Sequence, residues 1–253
     1  MNSSTTKTFF ITLGSVLFLF AVWEIGAHYV GQEILLPSPQ KTFIHLISIF
    51  VSPSFWSTIG ATIARGIMGF AISLVIAVFL GLVAGFYRPF FWLLQPWVTV
   101  IKTTPVMSIV ILAIIWFETD AVPVFVAFLI IFPIIYGNVV MGIRNVDRPL
   151  LEMARMYKVK TRRIVIELFT PSIMPYLLAG VSTAMGLTWK VIIAAEILSQ
   201  PSFAIGTELM KGKINFETAN VFAWTVVAIM ISFIFESFIQ FLEIRLNRWG
   251  SSL

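Results

Sequence analysis

The sequence contains no cysteine, and its two histidines, His28 and His45, stand far apart. Without cysteine the chain forms no disulfide bond and offers no thiolate ligand to a metal ion. Two separated histidines do not indicate an imidazole metal site either. The sequence shows no convergent nucleophile, ligand cluster or acid pair. We therefore predict no catalytic centre, no metal site and no cofactor.

Charged residues are scarce as well. They make up 11% of the 253 residues, whereas hydrophobic residues make up 58%. A soluble domain carries about 25% charged residues, and the mean hydropathy here is +0.95. This much apolar surface indicates that the surrounding solvent is a lipid bilayer. The net charge of +5 does not indicate a nucleic-acid partner, because the basic residues stand at membrane boundaries and not on one soluble face.

The apolar residues fall into six runs of the length that a membrane-spanning helix needs. The second run is extended at its start from Trp56, and the third is broken near Pro105. We predict an all-α polytopic membrane protein with one transmembrane domain over residues 1–253. The runs are Phe9–Val30, Ile67–Phe86, Phe91–Phe117, Val122–Ile143, Met174–Leu198 and Val221–Leu242.

Basic residues crowd into one connection, the loop at residues 144–172 between the fourth and fifth runs. Basic loops stay on the cytoplasmic side of a membrane. We therefore predict that this loop is cytoplasmic, and an even number of spans then places both termini there too. Loops 31–57 and 199–220 are expected to face outward. The basic residues of the loop are Arg144, Arg148, Arg155, Lys158, Lys160, Arg162 and Arg163.

Within this loop the stretch "LLEMARMYK", Leu150 to Lys158, predicts a short amphipathic helix. Pro149 suits a first helical turn. Leu151 and Ala154 recur at helical spacing and are expected to pack on the bundle. Composition alone supports two interpretations equally: a positive loop lying on anionic lipid, or a segment that docks a partner.

The pattern of the stretch, more than its charge, resembles the cytoplasmic signature of ABC-importer permeases. Glu152 and Ala154 stand in the Glu-Ala-Ala triplet of that signature, and Pro171 stands at its later proline. Lys158 replaces the usual glycine, which predicts a reshaped turn because lysine disfavours a positive φ. The segments "LLPSPQKTF", "STIGATIARGIMGF", "GIRNVDRPLLEMAR" and "WKVIIAAEIL" resemble, in order, the permeases for nitrate, sulfonate, taurine and bicarbonate, whose relatives carry thiamine precursors or riboflavin.

The resemblance implies a type I ABC importer permease fold in a bacterial inner membrane. Its partners would be two cytoplasmic ATPase subunits, an outer solute-binding protein and a second permease copy in a homodimer. A coupling helix at residues 150–160 would carry movement from the ATPases to the spans. The chain has no GxxxxGK[ST] loop, so we expect the ATPase to be a separate subunit. The coupling residues would be Glu152, Ala154, Arg155, Tyr157, Lys158 and Lys160.

Five residues at membrane depth are candidates for lining the pathway: Lys102, Pro105, Trp189, Lys190 and Glu196. Ionisable residues inside spans indicate function by default. Two interpretations stay open for the charged ones. They form interhelical ion pairs that fix packing, or the lysines give a positive lining that favours anionic solutes.

The main hypothesis is therefore the permease subunit of an ABC importer for a small solute. The alternative is a secondary transporter driven by an ion gradient, with Glu196, Lys190 and Lys102 as its relay. Such a transporter would work without an ATPase partner. The solute itself stays open among nitrate, an organosulfonate, bicarbonate and a vitamin or its precursor.

Overall fold

The chain is helical throughout the part that the computed structural model describes, residues 3–247, where side chains are described for residues 10–242 and 245. Residues 1, 2 and 248–253, the two ends of the predicted domain, lie outside this range. No strand occurs within it. The helices are α1 (Ser3–Val30), α2 (Pro39–Phe50), α3 (Phe55–Phe86), α4 (Arg88–Thr103), α5 (Val106–Trp116), α6 (Ala121–Arg144), α7 (Arg148–Met156), α8 (Thr161–Ile164), α9 (Thr170–Ser199), α10 (Ile205–Ile214) and α11 (Thr218–Asn247).

Five of these helices are long and apolar enough to cross a membrane, and α4 and α5 form a sixth, bent unit. The axes of α4 and α5 meet at 101°, which confirms the predicted break near Pro105. Pro105 has no N–H and pushes the residue before it out of the helical region. Thr104 accordingly has ψ 128, and its hydroxyl donates to the Val100 carbonyl at 2.7 Å.

The fifth span begins earlier than predicted. We expected it to start at Met174, with Pro171 and Pro175 marking the end of the loop. Instead α8, a π-helical turn at Val165–Phe169 and α9 follow one another directly from Thr161. Pro171 cannot donate to a carbonyl of the preceding turn, and the wider π-helical turn stands just before it. The prolines therefore lie inside a helical segment, and the second half of loop 144–172 is not a loop.

Two short helices were not predicted, because neither has the length of a span. In α2, Pro39 occupies the first turn, and Ser38 accepts a bond from the Lys41 N–H at 3.4 Å. The Ser-Pro pair is a helix-start signal that the sequence did offer. The other, α10, packs between α9 and α11. Both helices stand in the loops predicted to face outward.

The core of the bundle is the packing of α3 on α6 and of α6 on α9. Glycines let the first pair approach closely: a Cβ at Gly81 would lie 2.9 Å from the Val139 Cβ, and Gly85 lies against Ile143. The small residues of "GLVAG" thus let α3 and α6 pack closely. Gly186 on α9 differs, because nothing lies within 4 Å of where its side chain would stand.

Because α3 and α6 touch at Gly81, we expect Gly81→Ala to lower the free energy of unfolding by about 1–3 kcal/mol through overpacking. Gly60 lies on the same helix with nothing within 4 Å. Gly60→Ala should therefore be neutral or stabilise by up to about 1 kcal/mol. Thermal unfolding of both variants in detergent measures the difference. Equal effects at the two positions would contradict the close contact.

Candidate functional site

At one end of the bundle, α7 lies outside the spans as a short helix with two different faces. Asp147 caps it by accepting the Leu150 N–H at 3.1 Å, and Pro149 lies in its first turn. The helix begins two residues earlier than predicted. Leu151 and Ala154 are half-buried, as expected of the face that packs on the bundle, and the other residues of α7 are exposed.

The C-terminal end of α7 has the backbone conformation that a glycine usually provides at the end of a helix. Lys158 has φ 52, in the left-handed region. The Val159 N–H bonds the Ala154 carbonyl and the Lys158 N–H bonds the Arg155 carbonyl, each at 3.0 Å. These two bonds are those of a Schellman motif. The predicted reshaping of the turn was therefore wrong: the hydrogen bonds hold lysine in a conformation that costs about 1–2 kcal/mol.

The other predicted coupling residues, which stand on both sides of this turn, are accessible. Glu152, Arg155 and Lys160 are exposed, and the Tyr157 side chain is 80% exposed. None of these four has a hydrogen bond or an ion pair through its side chain within the described residues. A row of free polar and aromatic groups on a rigid, capped helix is suited to contact with another protein.

The predicted pathway residues separate into an exposed group and a buried group. Lys102, Pro105 and Lys190 are exposed on the surface of the single chain. The Lys102 ammonium lies beside Gly137 of α6, 3.8 Å from where a Cβ would stand. Among the described side chains, neither lysine has an ion-pair or hydrogen-bond partner.

Lys190 belongs to a stripe along α9 that also includes the exposed Ala179 and Thr183 and the half-buried Gly186. These residues follow one another at four, three and four positions, which places them on one face of a helix. The exposed surfaces of α1 and α11, in contrast, carry large apolar side chains such as Phe18 and Phe233. The stripe is small and polar, unlike a surface that faces lipid.

Trp189, next to Lys190, points the other way. Its side chain is 1% exposed, packs against the Phe235 ring at a tilt with ring centroids 4.5 Å apart, and occupies the space left by Gly66. It is a core residue in this chain and has no open face for a ligand.

Glu196 is fully buried and pairs with Arg65, not with Lys190. The distance from Arg65 Nη1 to Glu196 Oε1 is 2.8 Å. The other Glu196 oxygen accepts the Thr62 hydroxyl at 3.1 Å and the Gly206 N–H at 3.2 Å. Of the two interpretations, the packing ion pair thus describes Glu196, whereas it does not describe Lys190.

Arg65 collects further partners that the sequence did not reveal. Its Nη2 lies 2.5 Å from Asp120 Oδ1, and both Nη atoms donate to the Phe203 carbonyl at 3.0 Å. This group, which we call the arginine hub, joins α3, α9 and the segments before α6 and α10. The signal in the sequence was weak: a lone arginine and a lone glutamate in different apolar segments, each needing a partner.

A bundle with an open polar stripe on one face and an amphipathic helix held outside the spans is a membrane permease. The chain belongs to the family of binding-protein-dependent transport system inner membrane components, which it matches over residues 73–248, more than half of its length. It is thus the transmembrane permease subunit of an ABC importer, a multi-pass protein of the inner membrane. The resemblance found in the sequence is confirmed, and the family assignment decides against the secondary transporter.

Named relatives share most of the chain. A protein of Bacillus subtilis (strain 168) named as the aliphatic sulfonates transport permease SsuC is 27% identical over 92% of this chain and 85% of its own. The bicarbonate transport system permease protein CmpB of Synechococcus elongatus is 26% identical over 78% of this chain and 74% of its own.

The fold is shared with a solved structure. A chain of the MetNI methionine ABC transporter, in an inward-facing conformation, superposes with a TM-score of 0.54 at 18% identity. The match covers 76% of this chain and 92% of that chain. It confirms the predicted type of permease fold.

The arginine hub predicts a large loss of stability when its carboxylate is removed. Glu196→Ala leaves a buried guanidinium without its main partner, which costs about 3–5 kcal/mol in the free energy of unfolding. Asp120 is 69% exposed, so Asp120→Ala should cost about 1 kcal/mol or less. Denaturant unfolding in detergent compares the two variants.

The double variant Arg65→Met/Glu196→Met serves as the control, because it removes both buried charges together. We expect it to be more stable than Glu196→Ala alone. A double variant as unstable as Glu196→Ala would show that shape, and not the unpaired charge, sets the cost.

Proposed function

We propose that this permease passes a small anion, with Lys102 and Lys190 as two successive positive points along the pathway. The observation that carries the proposal is that both lysines are exposed on one chain without an anionic partner among the described residues. A charged side chain at membrane depth is costly unless it meets water, a partner or a ligand. A water-filled pathway with anionic cargo supplies both.

The two lysines would act at different depths. Lys102 lies beside Gly137, and the next residue, Asn138, touches Gly180 of α9. Lys190 stands ten residues after Gly180, which is about 15 Å further along the helix axis. A solute that passes along α9 would therefore meet one ammonium group after the other, and neither would bind it too tightly to release.

A second copy of the chain is needed to close such a pathway. The exposed stripe of α9 is open on a single chain, and lipid is a poor neighbour for Lys190 and Thr183. Two copies related by a two-fold axis would turn their stripes toward each other and enclose water between them. We therefore propose a homodimer, each copy being one permease domain over residues 1–253.

The helix α7 would couple this dimer to ATP hydrolysis. It is capped at both ends, anchored by Leu151 and Ala154, and exposes Glu152, Arg155 and Tyr157. We propose that residues 150–160 dock into a separate cytoplasmic ATPase, one on each copy. The basic residues around α7 support our proposal that this end, and both termini, lie on the cytoplasmic side.

The relatives suggest what the solute is. Their names specify aliphatic sulfonates and bicarbonate, which are both anions and agree with a pathway that carries lysines. We therefore propose an organosulfonate or bicarbonate, delivered by a solute-binding protein at the outer face. A ring-bearing vitamin is less favoured, because Trp189 is buried and offers no surface for stacking.

The coupling proposal predicts that breaking α7 uncouples transport. Glu152→Pro removes a backbone donor inside a nine-residue helix, and proline in a helix interior costs about 3 kcal/mol. ATP-driven uptake into proteoliposomes should fall at least about tenfold, while the amount of inserted protein stays the same.

Glu152→Ala is the matched control, because it removes the carboxylate and keeps the helix. If α7 acts as a rigid coupling element, this variant keeps most of the uptake. Full uptake by Glu152→Pro would refute the proposed role of α7, whatever the solute is.

The pathway proposal predicts that Lys190→Met lowers the uptake of the anion by about tenfold, the effect of a barrier that is higher by about 1.4 kcal/mol. The affinity of the solute-binding protein for the anion should not change. Uptake assays with a sulfonate and with bicarbonate measure the loss, and Lys190→Arg should retain most of the rate because it keeps the charge.

Lys213→Met provides the control for charge alone. Lys213 is exposed near the end of α10 and outside the stripe, so its loss should leave uptake unchanged. Equal uptake by Lys190→Met and the unaltered permease would mean that this lysine does not serve the anion.

A further inference from the structure

A second basic feature lies at the α7 end of the bundle and takes no part in the proposed pathway. It is a cleft of about 470 Å³ between the α3–α4 corner and the end of α6, with α7 across it. We call it the arginine cleft. Its lining includes Arg88, Arg144, Arg148, Trp92, Phe86 and Phe169.

Among the described side chains, none of the three guanidinium groups of the arginine cleft has a carboxylate partner. The ion pairs found among the described residues involve other arginines, namely Arg65 and Arg163, and two lysines. The Arg144 guanidinium instead lies 3.7 Å from the centre of the Phe91 ring. Three like charges around one cleft repel each other unless an anion lies between them.

The charges stand at the boundary of the apolar spans. Arg88 begins α4 one residue after α3 ends at Phe86 and its C-cap Tyr87, Arg144 is the last residue of α6, and Arg148 is the first residue of α7. Trp92 lies one turn into α4 with 69% of its surface exposed. Arginine at the helix ends, with an exposed tryptophan one turn deeper, is typical of the level where lipid headgroups meet acyl chains.

The lining has two chemistries that match the two parts of a phospholipid. The arginines suit a phosphate, which a guanidinium binds through two parallel hydrogen bonds. Phe86, Ile143, Leu151 and Phe169 form the apolar remainder and suit the start of the acyl chains. A soluble acidic peptide would bind the arginines but would have no acyl chain to contact the apolar residues.

The cleft is also separate from the surface that we propose docks the ATPase. Of α7, it includes Arg148 and Leu151, which stand at the start of the helix and on its half-buried face. Glu152, Arg155 and Tyr157 do not line it. A ligand in the cleft would therefore lie behind α7, between the helix and the bundle, and leave the docking face free.

We propose that the arginine cleft binds an anionic phospholipid, with its phosphate among Arg88, Arg144 and Arg148. The bound lipid joins α4, α6 and α7 through one phosphate and holds α7 against the bundle. Binding of the lipid is independent of the proposed solute. The effect on α7 rests on the proposed coupling function.

Native mass spectrometry of the full-length permease in detergent tests the binding, with phosphatidylglycerol and phosphatidylcholine as the two probes. We expect phosphatidylglycerol to bind at least about tenfold more tightly than phosphatidylcholine. Arg88→Gln/Arg144→Gln should remove this preference. Arg162→Gln/Arg163→Gln removes the same charge from the same end outside the cleft, and should keep it.

Each other outcome overturns the proposal. Equal affinity for the two lipids, or a preference that survives in Arg88→Gln/Arg144→Gln, means that the cleft is not a lipid site. Displacement of phosphatidylglycerol by millimolar inorganic phosphate means that a free anion binds there. If Arg88→Gln/Arg144→Gln keeps the lipid preference but binds the ATPase subunit more weakly than the unaltered permease in phosphatidylcholine nanodiscs, the arginines contact that subunit instead.

Two further measurements keep the test decisive if the double variant misfolds or if the coupling proposal fails. Arg148→Gln changes an exposed residue and should reduce the lipid preference in part even if the double variant does not fold. ATP-driven uptake into proteoliposomes made with and without phosphatidylglycerol then tests the effect of the bound lipid on α7. Lipid binding without any effect on uptake would leave the site standing and refute the effect on α7.

Discussion

The buried contact between Arg65 and Glu196 decides how the end of the bundle away from α7 is assembled. Lipid offers neither group a partner, so each charge must be satisfied by the protein itself. Glu196 takes Arg65, Thr62 and the N–H of Gly206, while Arg65 also reaches Asp120 and a carbonyl. Four segments distant in sequence meet there because none of them can leave its charge or its backbone donor unpaired.

The other end of the bundle, around α7, differs in that its charged groups are not paired with one another in this way. Around α7 the arginines have few partners, and the polar groups are exposed. Internal ion pairs hold one end of the bundle together, whereas the other end exposes polar groups to partners. This difference suits a permease that is moved by partners at one end only. Between the two ends, α6 packs on both α3 and α9.

Small residues set the geometry between the two ends. Gly81 and Gly85 bring α3 onto α6, whereas Gly186, with no neighbour, leaves room on the stripe that includes Lys190. The same residue type thus serves close packing at one place and open space at another. The difference depends on whether a second helix of the same chain passes there.

The sequence by itself determined the helical class, the five spans and the bent α4–α5 unit, the break at Pro105 and the amphipathic α7, since each depends on local composition and spacing. It could not decide that Glu196 pairs with Arg65, that Trp189 is buried, or that Lys158 takes a left-handed turn. Nor could it show three arginines around one cleft. Those features depend on which helices become neighbours, and a side chain's partner in lipid is known only when the helices are packed.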